Sequence, residues 1–201
     1  MKTSGAWIRE ALADAYYDSI PLITINLLWC LLTLPLITAP PAAAGLYYAT
    51  NRLAHRRSAN WRTFFEGFRA HFWLGWRWVL TNLLVLAVLL GDAWFYGRMG
   101  WGWGEWVQGF FVGLAILWGL LQIYTFPLLL EQQERRMLVA VRNSAVLYLR
   151  RPLFSIGLAL VVILLIGLST CLLPPCWLFF TASLSAFLAN RGTIVLIESL
   201  Q

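Results

Sequence analysis

The chain has 201 residues, 60% of them hydrophobic and only 12% charged, with a formal net charge of +6. Soluble domains carry roughly 25% charged residues, and a domain this short keeps too much of its surface wet to hide so much apolar side chain. A soluble fold is therefore excluded. A nucleic-acid binder is excluded too, because the arginines flank apolar stretches instead of forming one basic face.

Lys, Arg, Asp and Glu are absent between Asp18 and Arg52, between Glu105 and Glu131, and between Arg151 and Arg191. About 20 apolar residues cross the hydrocarbon core as a helix, so each gap has room for a span. The expected fold is an all-α integral membrane bundle in one domain, with about five transmembrane helices and two amphipathic helices on the cytoplasmic side.

In chain order, residues 1–18 read as a short amphipathic helix whose apolar side carries Trp7, Ile8, Leu12, Tyr16 and Tyr17. A first span covers residues 20–37 and is closed by Pro40-Pro41, since proline removes a backbone donor. A short helix from Ala42 to about His55 follows. Ala42-Ala43-Ala44 imitates a leader cleavage site. The leader would be too long, however, and Glu10, Asp14 and Asp18 spoil its basic end, so no cleavage is expected.

Residues 59–77 form the first interfacial helix. On a helical wheel Trp61, Phe64, Phe65, Phe68 and Phe72 fall within about 100° of one another. Arg62, Glu66 and Arg69 lie opposite, with Arg62 and Glu66 at i,i+4 spacing. Such a helix suits the membrane surface, and packing on a protein core is the alternative. The second span is 78–96, with Asp92 near its end. Trp94, Phe95, Tyr96, Trp101, Trp103 and Trp106, interleaved with glycines, then mark an outer turn whose rings sit in the headgroup layer. A carbohydrate-stacking platform is the sharper alternative there.

The third span is 106–130. Residues 131–150 form the second interfacial helix, with Met137, Val141, Ala145 and Leu149 recurring once per turn. The fourth span, 152–172, starts on Pro152, which suits a first helical position. Pro174-Pro175 makes a turn. The fifth span, 176–190, is the shortest. Cys30, Cys171 and Cys176 read as small apolar residues, with a Cys171–Cys176 disulfide across the outer turn left open.

Counted on five spans, Arg52, Arg56, Arg57, Arg62, Arg69, Arg77, Arg135, Arg136, Arg142, Arg150, Arg151 and Arg191 share one side. Lys2, Arg9 and Arg98 lie on the other. The positive-inside rule then puts the amino terminus outside and the carboxyl terminus in the cytoplasm. A faint duplication pairs Leu28-Trp29-Cys30-Leu31-Leu32 and Pro35 with Leu117-Trp118-Gly119-Leu120-Leu121 and Pro127, as in parallel half-repeats.

The segment Asn26-Leu27-Leu28-Trp29-Cys30-Leu31-Leu32-Thr33-Leu34-Pro35-Leu36-Ile37-Thr38 resembles the opening of the YesL-like bacterial membrane proteins. Pro41-Ala42-Ala43-Ala44-Gly45-Leu46-Tyr47-Tyr48 continues the likeness, as do Phe65-Glu66-Gly67-Phe68-Arg69-Ala70-His71-Phe72, Tyr124-Thr125-Phe126-Pro127-Leu128-Leu129 and Arg142 to Pro152. The resemblance covers most of residues 20–190. The tryptophan-rich outer turn and the first twenty residues depart from it. It implies a multi-pass inner-membrane protein with no assigned activity, associated with carbohydrate-uptake systems of the binding-protein-dependent ABC type.

The sequence lacks a phosphate-binding Gly-x-x-x-x-Gly-Lys loop, a His-Glu-x-x-His zinc helix and a Gly-x-Ser-x-Gly elbow. No catalytic residue, cofactor or metal is expected. His55 and His71, sixteen positions apart, read as interfacial residues. Ser19, Thr24, Asn26, Thr33, Asn82 and Gln122 are the polar residues inside spans, suited to interhelical hydrogen bonds or to lining a path.

The function expected first is a non-catalytic accessory subunit whose partners are the bilayer and a membrane protein such as a sugar permease. Arg62, Arg69, Arg142, Arg150 and Arg151 are its expected partner-docking or lipid-contact residues. The alternative is a small solute transporter or channel built from two parallel half-repeats.

Overall fold

The computed structural model describes residues 6–100, 102–171 and 175–199, and the described elements are helical. They are α1 (Ala6–Tyr17), α2 (Ser19–Thr33), a 3-10 turn (Leu36–Thr38), α3 (Ala39–Ala54), α4 (Trp61–Ala70), α5 (Phe72–Arg98), α6 (Gly104–Glu131), α7 (Met137–Arg150), α8 (Pro152–Cys171), a π-helical turn (Trp177–Thr181) and α9 (Ala182–Glu198). Among these residues four helices are long and apolar enough to cross a membrane: α5, α6, α8 and the continuous stretch Trp177–Glu198. The α1–α2 pair, bent by 79°, makes a fifth only if counted as one broken span.

The surface is that of a protein solvated by oil. Leu84, Ile116, Leu160 and Leu164 are more than half exposed, while Ala42, Ala44, Ala49, Ala186 and Ala189 are buried. Small residues inside and large aliphatic ones outside let helix backbones approach closely where lipid replaces water. Helix α1 follows this rule at Ala11 and Ala15 and departs from it at Trp7, which faces the core with them at i, i+4, i+8, while Leu12, Tyr16 and Tyr17 of the expected apolar face point away.

The principal departure from expectation lies in residues 20–56. Helix α2 has 15 residues, about 22 Å at 1.5 Å per residue, short of the roughly 30 Å hydrocarbon core. It breaks at Pro35 (φ −83°, ψ 72°) rather than at Pro40-Pro41. Those two prolines sit in the first turn of α3, where backbone N–H groups have no intrahelical partner to lose. Helix α3 then packs back against α2. Asp14, just before α2, lies 3.7 Å from Arg56, just after α3. The chain thus leaves and returns to one end of the bundle, and α2–α3 is a closed excursion tipped by exposed Leu34, Leu36 and Ile37.

That return corrects the side counting. Helix α1 shares the end that carries Arg56, Arg150, Arg151 and Arg191, instead of lying opposite it. It also removes the parallel half-repeats. Pro35 ends a turned-back excursion, whereas Pro127 sits inside the 28-residue α6.

Smaller differences have local causes. Residues 59–77 are not one helix, because α4 ends at Ala70, the backbone leaves helical geometry at His71 and α5 begins at Phe72. The chain between α6 and α7 leaves the helix at Gln132 and turns through Arg135 at φ 46°. Helix α7 buries Ala140, Ser144 and Leu147, a stripe rotated from the expected one, and Leu149 is exposed. The last crossing runs on to Glu198, so it reaches 22 residues. Helices α5 and α6 form an antiparallel hairpin laced by Trp78 Nε1 donating to Gln122 Oε1 (2.9 Å) and Trp118 Nε1 donating to Asn82 Oδ1 (2.9 Å).

At the hairpin tip Trp103 and Trp106 are exposed and Arg98 lies 4.5 Å over the Trp94 ring, so the Trp94 face is already occupied by a guanidinium. Trp101 and Pro174, which the sequence placed in outer turns, lie outside the described residues. Cys30, Cys171 and Cys176 are free thiols.

Candidate functional site

Helix α3 is the hub of the bundle, packed against α2, α4, α5 and α9. Its apolar, alanine-rich first half admits close neighbours, and its polar second half (Thr50, Asn51, Arg52), followed by His55, is carried to the arginine-bearing end. There Asn51 Nδ2 donates to Glu131 Oε1 at 2.8 Å, and His55 Nε2 lies 2.8 Å from the same oxygen. Asn190 of α9, fully buried, donates to the Tyr47 carbonyl (3.1 Å) and to Thr50 Oγ1 (3.0 Å). Arg191 donates to the Ala54 carbonyl at 2.9 Å and pairs with Asp14 at 3.4 Å. One polar knot therefore ties α1, α3, α6 and α9 together.

The turn after α3 has an unusual residue choice. Arg57 N–H bonds to the Arg52 carbonyl (2.9 Å) and Arg56 N–H to the Leu53 carbonyl (2.8 Å), the double closure that usually has glycine at its left-handed position. Here that position is Arg56, at φ 56°. A left-handed non-glycine residue costs of order 1 kcal/mol, and the Arg56–Asp14 pair helps hold the conformation.

Cavities of several sizes open near this end, one of about 310 Å³ beside Asp14, Asp18 and Arg57 and two larger ones. The first of the larger two, about 610 Å³, is lined by Trp7, Glu10, Arg56, Arg150, Arg151, the first turn of α8 (Pro152, Leu153, Phe154), Arg191 and the last turns of α9, with Glu198. Trp7 packs on Phe154 with ring centroids 4.7 Å apart. The second, about 640 Å³, is an open groove along α4 lined by Trp61, Arg62, Phe65, Glu66, Arg69 and Ala70.

Helix α4 is well defined. Asn60 accepts from the Arg62 and Thr63 amides while Thr63 accepts from the Asn60 amide, a reciprocal cap that satisfies orphan donors at both ends of the turn. Its inner side packs on α3, where Phe64 is buried and any Cβ on Gly45 would come within 2.8 Å of the Phe64 carbonyl. Glu66 does not use its i+4 partner. It accepts from the Tyr48 hydroxyl at 3.0 Å and lies 4.0 Å from Arg52.

The five arginines singled out in the sequence thus divide. Arg62 and Arg69 line the α4 groove, Arg150 and Arg151 line the first cavity, and Arg142 lines neither. Sequence reasoning missed Arg56, Arg191 and Trp7 in the first cavity. The signal for Arg191 was present, since it ends a long uncharged stretch.

His71 is buried, with its Nδ1 3.4 Å from Arg135 Nη1 and the Tyr48 ring edge-on at 5.2 Å. Burial, reinforced by the Arg135 charge, pushes its pKa below the usual imidazole value against the opposing pull of the Ala70 backbone bond and Glu66. Arginine only donates, so in this contact Nδ1 is the acceptor, while Nε2 is buried with no hydrogen-bond partner among the described residues. Among the described residues no three His, Cys, Asp or Glu side chains are grouped as a metal site.

Deeper in the bundle Asn26 of α2 is fully buried. Its Nδ2 donates to the Trp177 and Leu178 carbonyls (2.6 and 2.7 Å), and its Oδ1 accepts from the Ser183 amide at 2.8 Å. A π-turn shifts helical hydrogen bonding out of register and frees backbone groups. One side chain from the α2 excursion satisfies them.

These features define an all-α bundle of the polytopic membrane type, with its polar chemistry gathered at one end. Residues 22–93 match the model of a family described as "Protein of unknown function, DUF624". The matched stretch runs from α2 through most of α5, and so includes the excursion, the Arg56 turn and the α4 groove. No curated protein and no solved structure matches the chain.

Proposed function

We propose that the chain is a non-catalytic accessory protein of the bacterial inner membrane, of the YesL-like kind, that docks on a membrane-embedded partner such as the permease of a carbohydrate importer. The α4 groove supports this reading. Helix α4 is held rigidly on α3 and capped at its start, and it presents half-exposed Trp61 beside Arg62 and Arg69. Tryptophan and arginine on a pre-ordered surface are the residue types that carry binding energy at interfaces. The arginine-bearing end is cytoplasmic by the positive-inside rule, and with four crossings both termini belong there.

The transporter reading draws on one feature, a π-turn in a crossing helix faced by buried Asn26. Its polar atoms are spent on one another, however, and Asn190 likewise bonds within the bundle. Accessory docking is the better account. Extraction in mild detergent followed by mass spectrometry should recover a stoichiometric membrane partner, lost when Arg62 and Arg69 are both changed to Ala. Solute flux through the pure protein in liposomes, with no partner recovered, would replace this reading by the transporter.

A further inference from the structure

We propose that the cavity between α1, α8 and α9 is a binding site for an anionic phospholipid, with the phosphate held by Arg150, Arg151 and Arg191 and the adjoining hydrocarbon laid along Trp7 and Phe154. Four guanidinium groups converge on a space of about 610 Å³. Two of them are already committed in part, since Arg56 and Arg191 share Asp14 at 3.7 and 3.4 Å. Among the described residues Arg150 and Arg151 have no acidic partner within ion-pair distance, although Glu10 and Glu198 also line the cavity. Arg150 and Arg151 are therefore the groups best placed to meet a singly charged phosphodiester.

The site is built rather than accidental. Arg191 is only 15% exposed and its guanidinium is fixed by Asp14 and the Ala54 carbonyl. Arg56 occupies a left-handed position that glycine would fill without strain, and that placement keeps its side chain on this wall.

Apolar walls select a lipid over a soluble phosphate. Trp7, Phe154, Val195 and Leu196 line the same space as the arginines, and Leu153 at its lip is 84% exposed on the oil-facing side of α8. A ligand must therefore be charged at one end and greasy at the other, at the depth where headgroups meet acyl chains. Basic pockets between helices at the cytoplasmic face take such headgroups. This site does not depend on the α4 groove or on any protein partner.

Native mass spectrometry of the purified full chain, with phosphatidylglycerol, phosphatidylcholine or glycerol 3-phosphate added in turn, tests the proposal. Phosphatidylglycerol should be retained at least tenfold more strongly than phosphatidylcholine. The Arg150→Gln, Arg151→Gln pair should lose that preference, and Arg62→Gln, Arg69→Gln should keep it. Arg150→Lys, Arg151→Lys preserves the charge and should retain the preference, which gives a second reading if the neutral pair is not recovered folded. Equal retention of the two lipids, an unchanged preference in the glutamine pair, or its absence in the lysine pair overturns the site. Displacement of phosphatidylglycerol by equimolar glycerol 3-phosphate overturns the lipid assignment and makes the ligand a soluble phosphate.

Discussion

Asn26 and Arg56 have different jobs and share one property, that each is tied to a backbone irregularity, Asn26 to the π-turn it bonds and Arg56 to its own left-handed turn. Asn26 reaches from a helix too short to cross and closes the hydrogen bonds that the π-turn at Trp177–Thr181 leaves open. Buried backbone groups without partners cost about 1–3 kcal/mol each, more than a made bond contributes. Asn26→Ala should lower stability by about 1–3 kcal/mol, the smaller end applying if the backbone finds new partners as membrane helices often do. Thermal unfolding in detergent measures it, and an unshifted midpoint would mean the π-turn does not need the side chain. In the sequence Asn26 was visible only as a polar residue in an apolar run. Its partners lie more than 150 positions away, which no local pattern encodes.

Between elements, glycine marks where helices touch and where they face oil. A Cβ on Gly75 of α5 would run into the Pro40 carbonyl of α3, while around Gly119 of α6 there is nothing within 4 Å. Gly75→Ala must push two backbones apart and should cost about 1–3 kcal/mol, as overpacking does. Gly119→Ala meets no neighbour and removes the entropy cost of glycine in a helix, so it should be neutral or stabilising by up to about 1 kcal/mol. Paired melting curves decide this, and equal effects at the two sites would contradict the packing described. Periodicity anticipated helices where α4 and α7 lie. It assigned the ring face of α4 to lipid, whereas Phe64 is buried against α3. A helical wheel reports that a face is apolar and is silent on whether oil or protein covers it.

For the whole molecule, the Asp14–Arg56 and Asp14–Arg191 pairs bring the starts and ends of distant segments to one end of the bundle. Among the described residues four helices are long and apolar enough to cross, and an even number of crossings returns the chain to that end. Reporter fusions at Gln201 and before Ala6 should therefore give the same cytoplasmic signal, with the opposite signal from a fusion in the Gly100–Gly104 turn; opposite signals from the two termini would restore a fifth crossing. Composition and uncharged run lengths by themselves determined the solvent, the α-helical class, the hairpin of α5 and α6, the span from Pro152 and the arginine-rich side. Only tertiary structure decided that α2 turns back, that α1 joins the arginines, and that Arg56, Arg150, Arg151 and Arg191 meet in one cavity. The reason is physical. Oil selects for apolar length whichever way a helix points, so a crossing and an excursion can be written in the same residues, and only the contacts made at each end distinguish them.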